Sequence, residues 1–213
     1  INTFSEPIMK KMLSEKTFRA FKVWQNEGKA ISRKEADEIA EAMKVWAISN
    51  GAISYTHWFQ PMTGLTAEKH DSFIPVNGVN QELEVFSGNQ LIQGEPDASC
   101  FPSGGLRATF EARGYTTWDP SSPVFISETG LNKTLCIPTI YVSFNGEALD
   151  KKLPLLRSEA AVNKAVVDFL KLFGNKNVST VYSVCGTEQE YFLIDREYFK
   201  LRSDLLLTGR TLV

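Results

Sequence analysis

An α+β fold is expected of this chain, because three kinds of pattern follow one another along its 213 residues. Apolar residues at helical spacing fill the first fifty positions, short segments bounded by turn residues occupy the middle, and a further helical stripe opens the last third. Phe4, Ile8 and Met12, then Phe21 and Trp24, read as one or two amphipathic helices that Gly28 breaks. Ser32-Arg-Lys-Glu35 is a capping box, in which each partner satisfies a backbone N–H that the first helical turn leaves open. Ala36, Ile39, Ala40, Met43, Trp46 and Ala47 then share one stripe up to Gly51, which predicts a helix over Ser32–Asn50.

From Ile53 the character changes to strands. Ile53–Phe59, Leu83–Phe86, Val124–Ser127 and Leu135–Phe144 are the candidates, with turns at Asn77-Gly78 and Asn145-Gly146. Ser87–Ser122 reads as a long loop rich in Gly and Pro, and its Phe, Tyr and Trp argue for order. Asp150-Lys-Lys-Leu-Pro154 is the expected domain boundary, since Pro154 suits a first helical turn. Leu155, Val162, Val166, Phe169, Leu170 and Phe173 line a helix that Gly174 ends. Val178–Cys185 and Gln189–Ile194 follow as two strands, in a hairpin turning at Gly186 or as one long bent strand. The expected divisions are residues 1–51, 52–150 and 151–213.

Composition narrows the function. The net charge of -2 offers no general field for nucleic acid, and no basic run suits an anionic membrane surface. No apolar stretch approaches the roughly 20 residues that span a bilayer, and Ile1–Trp24 is broken by Lys and Glu, unlike a secretory signal. Cys100, Cys136 and Cys185 are odd in number and far apart, which speaks against zinc and against a disulfide framework. A cytoplasmic setting, with the cysteines as small buried apolar side chains, is the expectation. No Walker-type phosphate loop occurs.

The most informative stretch is Gly186-Thr-Glu188-Gln-Glu190-Tyr-Phe-Leu-Ile-Asp195. On a strand Glu188 and Glu190 point the same way, with Cα atoms roughly 6.5–7 Å apart. Two such carboxylates can serve one divalent ion or two neighbouring ones with the hard oxygens that Mg²⁺ or Mn²⁺ prefers. Phe192 and Ile194 continue that face, so a semi-enclosed setting is expected. Two solvated carboxylates on an ordinary strand edge remain the plainer reading.

This segment resembles the first metal-binding strand of the glutamine synthetases, a Glu-X-Glu-Phe/Tyr-Phe-Leu pattern. Three other stretches resemble the type III branch, the long bacterial form. They are Tyr55-Thr-His57-Trp-Phe-Gln-Pro-Met with Thr66-Ala-Glu-Lys-His-Asp71, Glu95-Pro-Asp97-Ala-Ser-Cys-Phe-Pro-Ser-Gly-Gly-Leu-Arg107, and Phe110-Glu-Ala-Arg113-Gly-Tyr-Thr-Thr-Trp118-Asp119. With Leu205-Leu-Leu-Thr-Gly-Arg210, the likeness covers most of the chain from Ser32 onward.

The resemblance implies ATP-dependent ligation of ammonia to glutamate through a γ-glutamyl phosphate, with Glu188 and Glu190 as Mg²⁺ or Mn²⁺ ligands. It implies a small β-grasp-like domain whose loop closes a neighbour's site, the opening helix and strands of a large catalytic domain, and a ring-shaped homo-oligomer, a dodecamer in the family. Asp97-Ala-Ser is similar to the Asp-Gly-Ser-Ser loop of shorter members, where an aspartate helps bind ammonium and takes its proton. Ala98 and Cys100 depart from that pattern, and Asp97 reads equally as a turn residue after Pro96. Arg107 and Arg113 could meet phosphate or carboxylate, or pair with Glu111 or Asp119. His57 reads as a packed imidazole, and Trp118-Asp119 carries no assignable chemistry.

A type III enzyme would be several times longer, and this chain lacks an initiator Met, so it is expected to be an N-terminal piece, inactive alone. The alternatives are another γ-glutamyl ligase of the same superfamily and a non-catalytic assembly or regulatory module.

Overall fold

The computed structural model describes residues 2–62, 65–73, 86–101, 113–186, 188–209 and 211–212. They form an α+β structure divided into two compact units, Ile1–Leu155 and Leu156–Val213.

The first unit opens with α1 (Glu6–Met12), α2 (Glu15–Glu27) and α3 (Arg33–Ser49). Ser14 caps α2 by accepting from Thr17 N. Glu38 of α3 reaches across to take Ser14 N at 2.6 Å and Thr17 Oγ1 at 2.5 Å, so one carboxylate ties two helices. α2 stops at Gly28, whose φ of 70° is left-handed backbone that a side chain would strain. α3 carries the predicted capping box between Ser32 and Glu35. Its stripe of Ala36, Ile39, Ala40, Met43, Trp46 and Ala47 is buried as the spacing predicts.

From Ile39 onward that stripe lies in one core with residues of a mixed sheet of strands β1 (Ser54–Phe59), β2 (Ala67–Ser72), β3 (Gln93–Gly94), β4 (Gly114–Trp118), β5 (Phe125–Thr129) and β6 (Asn132–Ser143). The order is β2-β1-β6-β4-β3, with β5 also on β6. β1 runs parallel to β6, and every other pairing is antiparallel. β4 and β5 follow one another along the same edge of β6. Between the pairs Trp118↔Thr139 and Phe125↔Cys136, residues 119–124 oppose only residues 137–138, so the edge carries a short inserted turn. Pro138 sits at this changeover, where its missing N–H breaks no ladder and its carbonyl accepts from Asp119 N at 3.0 Å.

The insertion is built around Asp119. Its Oδ1 accepts from Ser121 N at 2.9 Å and Ser121 Oγ at 2.5 Å, and its Oδ2 from Ser122 Oγ at 2.9 Å and Lys152 Nζ at 2.5 Å. Burial would raise the Asp119 pKa, but the bonds from Lys152 and Ser121 outweigh it and hold the carboxyl below its ordinary range. The preceding Trp118 is fully buried, with Phe21 stacked at 5.8 Å and Trp24 edge-on at 5.0 Å. Trp118-Asp119 thus has a structural role that the sequence does not disclose.

Two corrections to the sequence reading arise here. Ser87–Ser122 is not one long loop, for it holds the short helix α4 (Gly88–Ile92), β3, a 3₁₀ turn (Ala98–Cys100) and β4. The polar strand β2 is not signalled by the sequence, because Ala-Glu-Lys-His-Asp-Ser has no apolar alternation; at the edge of the sheet among the described residues it needs little, and its charges blunt that edge. Of the expected strand Leu83–Phe86, residues 83–85 lie outside the described residues, as does Asn77-Gly78, while Phe86 is buried in the core.

α5 (Lys152–Leu172) begins in the last residues of the first unit. Buried Asp150 prepares its start, taking Leu153 N and Tyr141 N at 2.9 Å each. In the second unit α5 ends near Gly174, as expected, yet Leu155, Val162, Phe169 and Phe173 of its stripe are exposed. The strands expected at Val178–Cys185 and Gln189–Ile194 do not form. A strand needs a ladder partner for its backbone groups. Here side chains of α5 serve part of the segment instead: Asn163 Oδ1 accepts from Val181 N at 2.7 Å, and Glu159 accepts from Ser183 N and Ser183 Oγ. Two short helices close the chain, α6 (Arg196–Lys200), capped by Asp195, and α7 (Ser203–Thr208).

One buried ionisable group has a consequence for stability. His57 is 2% exposed, and burial pushes its pKa down from 6.5 to about 4, against a smaller opposing effect of its bond to Gln90 O. The unfolded chain therefore binds a proton that the folded chain refuses between these values. His57's contribution is complete above pH 6.5 and is lost as pH falls toward about 4, for a total of roughly 3 kcal/mol. In urea unfolding at pH 7.5 and 4.5, His57→Asn is expected to show a pH dependence shallower than wild type by about 2–3 kcal/mol. Parallel wild-type and variant curves would remove His57 as the cause.

Candidate functional site

Glu188 and Glu190 lie in an irregular segment of the second unit, both exposed. The semi-enclosed setting expected for them is not found within that unit. Phe192 and Leu193 are 88% and 98% exposed, and Tyr191 and Ile194 are also open to solvent. Among the described residues no group of three or more His, Cys, Asp or Glu is placed to hold a metal ion. The pair nevertheless fits part of such a site: its four hard oxygens are accessible, and a six-coordinate Mg²⁺ would draw its other donors from water, phosphate or further side chains.

Asp97 is exposed in the loop that follows β3. Its Oδ1 accepts from Ser99 N at 2.8 Å, from Ser99 Oγ, and from Cys100 Sγ at 3.7 Å, while its carbonyl accepts from Cys100 N at 3.1 Å. The side chain thus organises the 3₁₀ turn Ala98–Cys100, which is the turn role anticipated for it. The hydrogen bonds from Ser99 hold its carboxyl below the ordinary aspartate range. Cys100 is half-buried and its thiol pKa is raised, chiefly by that burial. Cys136 is buried and pushed up to about 11, again by burial, whereas Cys185 is exposed and departs from the expected burial.

Both ends of the Asp97 loop rest on one face of β1. At the entry, His57 Nε2 lies 2.6 Å from Gln90 O and Nδ1 lies 2.8 Å from Thr116 Oγ1, which is itself 3.1 Å from Gly94 O. A carbonyl only accepts, so Nε2 carries the proton and Nδ1 is an acceptor, and the single Thr116 hydroxyl proton is shared between two acceptors, Nδ1 and Gly94 O. A Cβ on Gly94 would stand 2.4 Å from Nδ1 and 2.7 Å from Thr116 Oγ1, so this contact admits only glycine. At the exit, buried Phe101 packs edge-on against Phe59 at 5.7 Å and tilted against Tyr141 at 5.9 Å. The packing of His57 follows from its apolar neighbours in sequence. Its bond to Thr116 does not, because that partner is 59 residues away.

The arginine alternatives divide. Arg107 and Glu111 lie outside the described residues, and Arg113 is exposed just before β4. The cation on Asp119 is Lys152, not Arg113. Exposed His70 pairs with Glu68 on β2.

Comparison with known proteins places the chain. Residues 1–158 match the family model described as Glutamine synthetase type III N terminal. A glutamine synthetase of Bacteroides fragilis (strain YCH46) is 51% identical over 212 residues, which is 100% of this chain and 28% of that protein. A type-3 glutamine synthetase of Dictyostelium discoideum is 47% identical over 214 residues, covering 100% of this chain and 29% of its own length. A glutamine synthetase of Butyrivibrio fibrisolvens is 41% identical over 160 residues, 72% of this chain and 21% of that protein. The chain thus spans under a third of the relatives it matches. Among the described residues no helix is long and apolar enough to cross a membrane. By the family match and by identity over its whole length, the chain belongs to the type III glutamine synthetases, matching their N-terminal family model.

Proposed function

We propose that this chain serves an ATP-dependent ligase that joins ammonia to the γ-carboxylate of glutamate. The observation that carries the reading is a match at 51% and 47% identity to two named glutamine synthetases, which spans the whole chain and so the segment that holds Glu188 and Glu190. The proposed reaction has two steps: ATP phosphorylates the γ-carboxylate, and ammonia then displaces phosphate from the acyl phosphate to leave the amide. Such phosphoryl transfer depends on positioning and charge neutralisation more than on covalent participation by the protein.

Within that reaction Glu188 and Glu190 are the proposed Mg²⁺ or Mn²⁺ ligands, presenting exposed carboxylates two residues apart. The bound ion supplies charge neutralisation at phosphate oxygens. Asp97 is the proposed ammonium group. With Oδ1 engaged by Ser99 and Cys100, we assign Oδ2 to the cation. A carboxyl held below its ordinary range is ionised at neutral pH, which suits holding NH₄⁺, and is a weak base, which makes proton removal the lesser part of its role. We further propose a closed ring of copies, with the Asp97 loop completing a neighbour's site, in a cytoplasmic enzyme. The 213 residues by themselves are proposed not to turn over, since the described residues gather no complete set of metal ligands.

In the full-length enzyme, Glu188→Gln or Glu190→Gln is expected to lower turnover by roughly two to four orders of magnitude with assembly intact, because charge rather than volume is lost. Wild-type turnover at ordinary Mg²⁺ in either variant would sink the metal assignment. Asp97→Ala is expected to raise the KM for ammonium or lower kcat while the KM for ATP holds. An unchanged ammonium dependence would leave Asp97 as a turn residue alone.

A further inference from the structure

β1 presents Tyr55, His57 and Phe59 on one buried face. Residues two apart on a strand are spaced by roughly 6.5–7 Å. His57 takes hold of the chain by its bond to Gln90 O and by packing directly on Gly94, whose carbonyl shares the Thr116 hydroxyl proton with Nδ1, while Phe59 takes hold of it at Phe101. The intervening residues 95–100 therefore leave and rejoin the sheet over two neighbouring positions of a single strand. Within them Pro96 is buried and Asp97 is exposed at the outer part, its turn closed by Ser99 and Cys100.

We propose that His57 is a positioning residue, which as the Nε2–H tautomer fixes the entry of the 95–100 loop beside the Phe59 anchor, so that the Asp97 carboxylate is held where ammonium is to meet it. The loop geometry stands on the contacts above, and the catalytic consequence rests on the ammonium role proposed for Asp97. His57 touches no reacting atom in this arrangement. It acts through Gln90, Thr116 and Gly94, and the absence of room for a Cβ at Gly94 makes that coupling stiff. A loop so held keeps one carboxylate geometry, whereas a freed loop spreads it over many and weakens capture of a small cation more than capture of a nucleotide.

The test uses the full-length enzyme. Thr116→Val keeps the side-chain volume and removes the hydroxyl shared by Nδ1 and Gly94 O; Thr116→Ser keeps the donor; His57→Gln alters the imidazole directly. Hydrogen exchange at residues 95–100 is expected to quicken roughly tenfold in Thr116→Val and His57→Gln, the scale of one lost buried hydrogen bond, and to return toward wild type in Thr116→Ser. The KM for ammonium is expected to rise by a similar factor with the KM for ATP unchanged. Wild-type loop exchange in both Thr116→Val and His57→Gln would overturn the proposal. So would a fall in kcat and melting temperature with a rise in both KM values alike, which marks general damage. Asp97→Ala separates the two layers: if it leaves ammonium dependence untouched while Thr116→Val still frees the loop, the ammonium role falls and the clamp stands on exchange alone.

Discussion

Because β6 bonds β1 along one edge and β5 then β4 along the other, its twelve residues fix where every other described strand of the first unit can lie. Its inward residues Leu135, Ile137, Thr139 and Tyr141 are all buried. Leu135 and Ile137 meet the core shared with α3, and Tyr141 meets the aromatic group of Phe59 and Phe101. A one-residue slip of β6 would turn this set outward and bring Cys136, Pro138 and Ile140 in. The inserted turn at residues 119–124 resists such a slip, since Asp119 is bonded to Pro138 O at one end and to Lys152 at the other.

Local signals in the sequence disclose the elements whose own residues determine them. α3 is legible from the reciprocal box of Ser32 and Glu35 and from an unbroken stripe; β1, β5 and β6 are legible from β-branched and aromatic residues between turn signals. β2 and β4 owe their strand state to a neighbour. Ala67–Ser72 is held by β1 and Gly114–Trp118 by β6, through pairings remote in sequence. The converse holds at Gln189–Ile194, where strand-forming residues have no ladder partner among the described residues and remain irregular.

The same division applies to the site. The proposed residues Glu188, Glu190 and Asp97 can be singled out because the patterns that suggest them are short and local. The clamp of His57, Thr116 and Gly94 cannot, because it draws one residue from β1, one from β4 and one from β3. Nor could the partner of Asp119 be chosen between an arginine six residues before it and Lys152, which is 33 residues onward, without the turn that brings them together.

The open segment around Glu190 also bears on how the chain behaves in a crowded solution. Tyr191-Phe-Leu-Ile194 is an unpaired run of strand formers, 58–98% exposed, of the kind that stacks between copies at a spacing of about 4.8 Å. Glu190 and Asp195 bracket it on either side. In-register stacking would pile those carboxylates on their own images, a repulsion that acts as a gatekeeper against fibrous growth. The acids around this run thereby oppose stacking of an exposed apolar stretch of the second unit, an effect that weakens whenever they are neutralised.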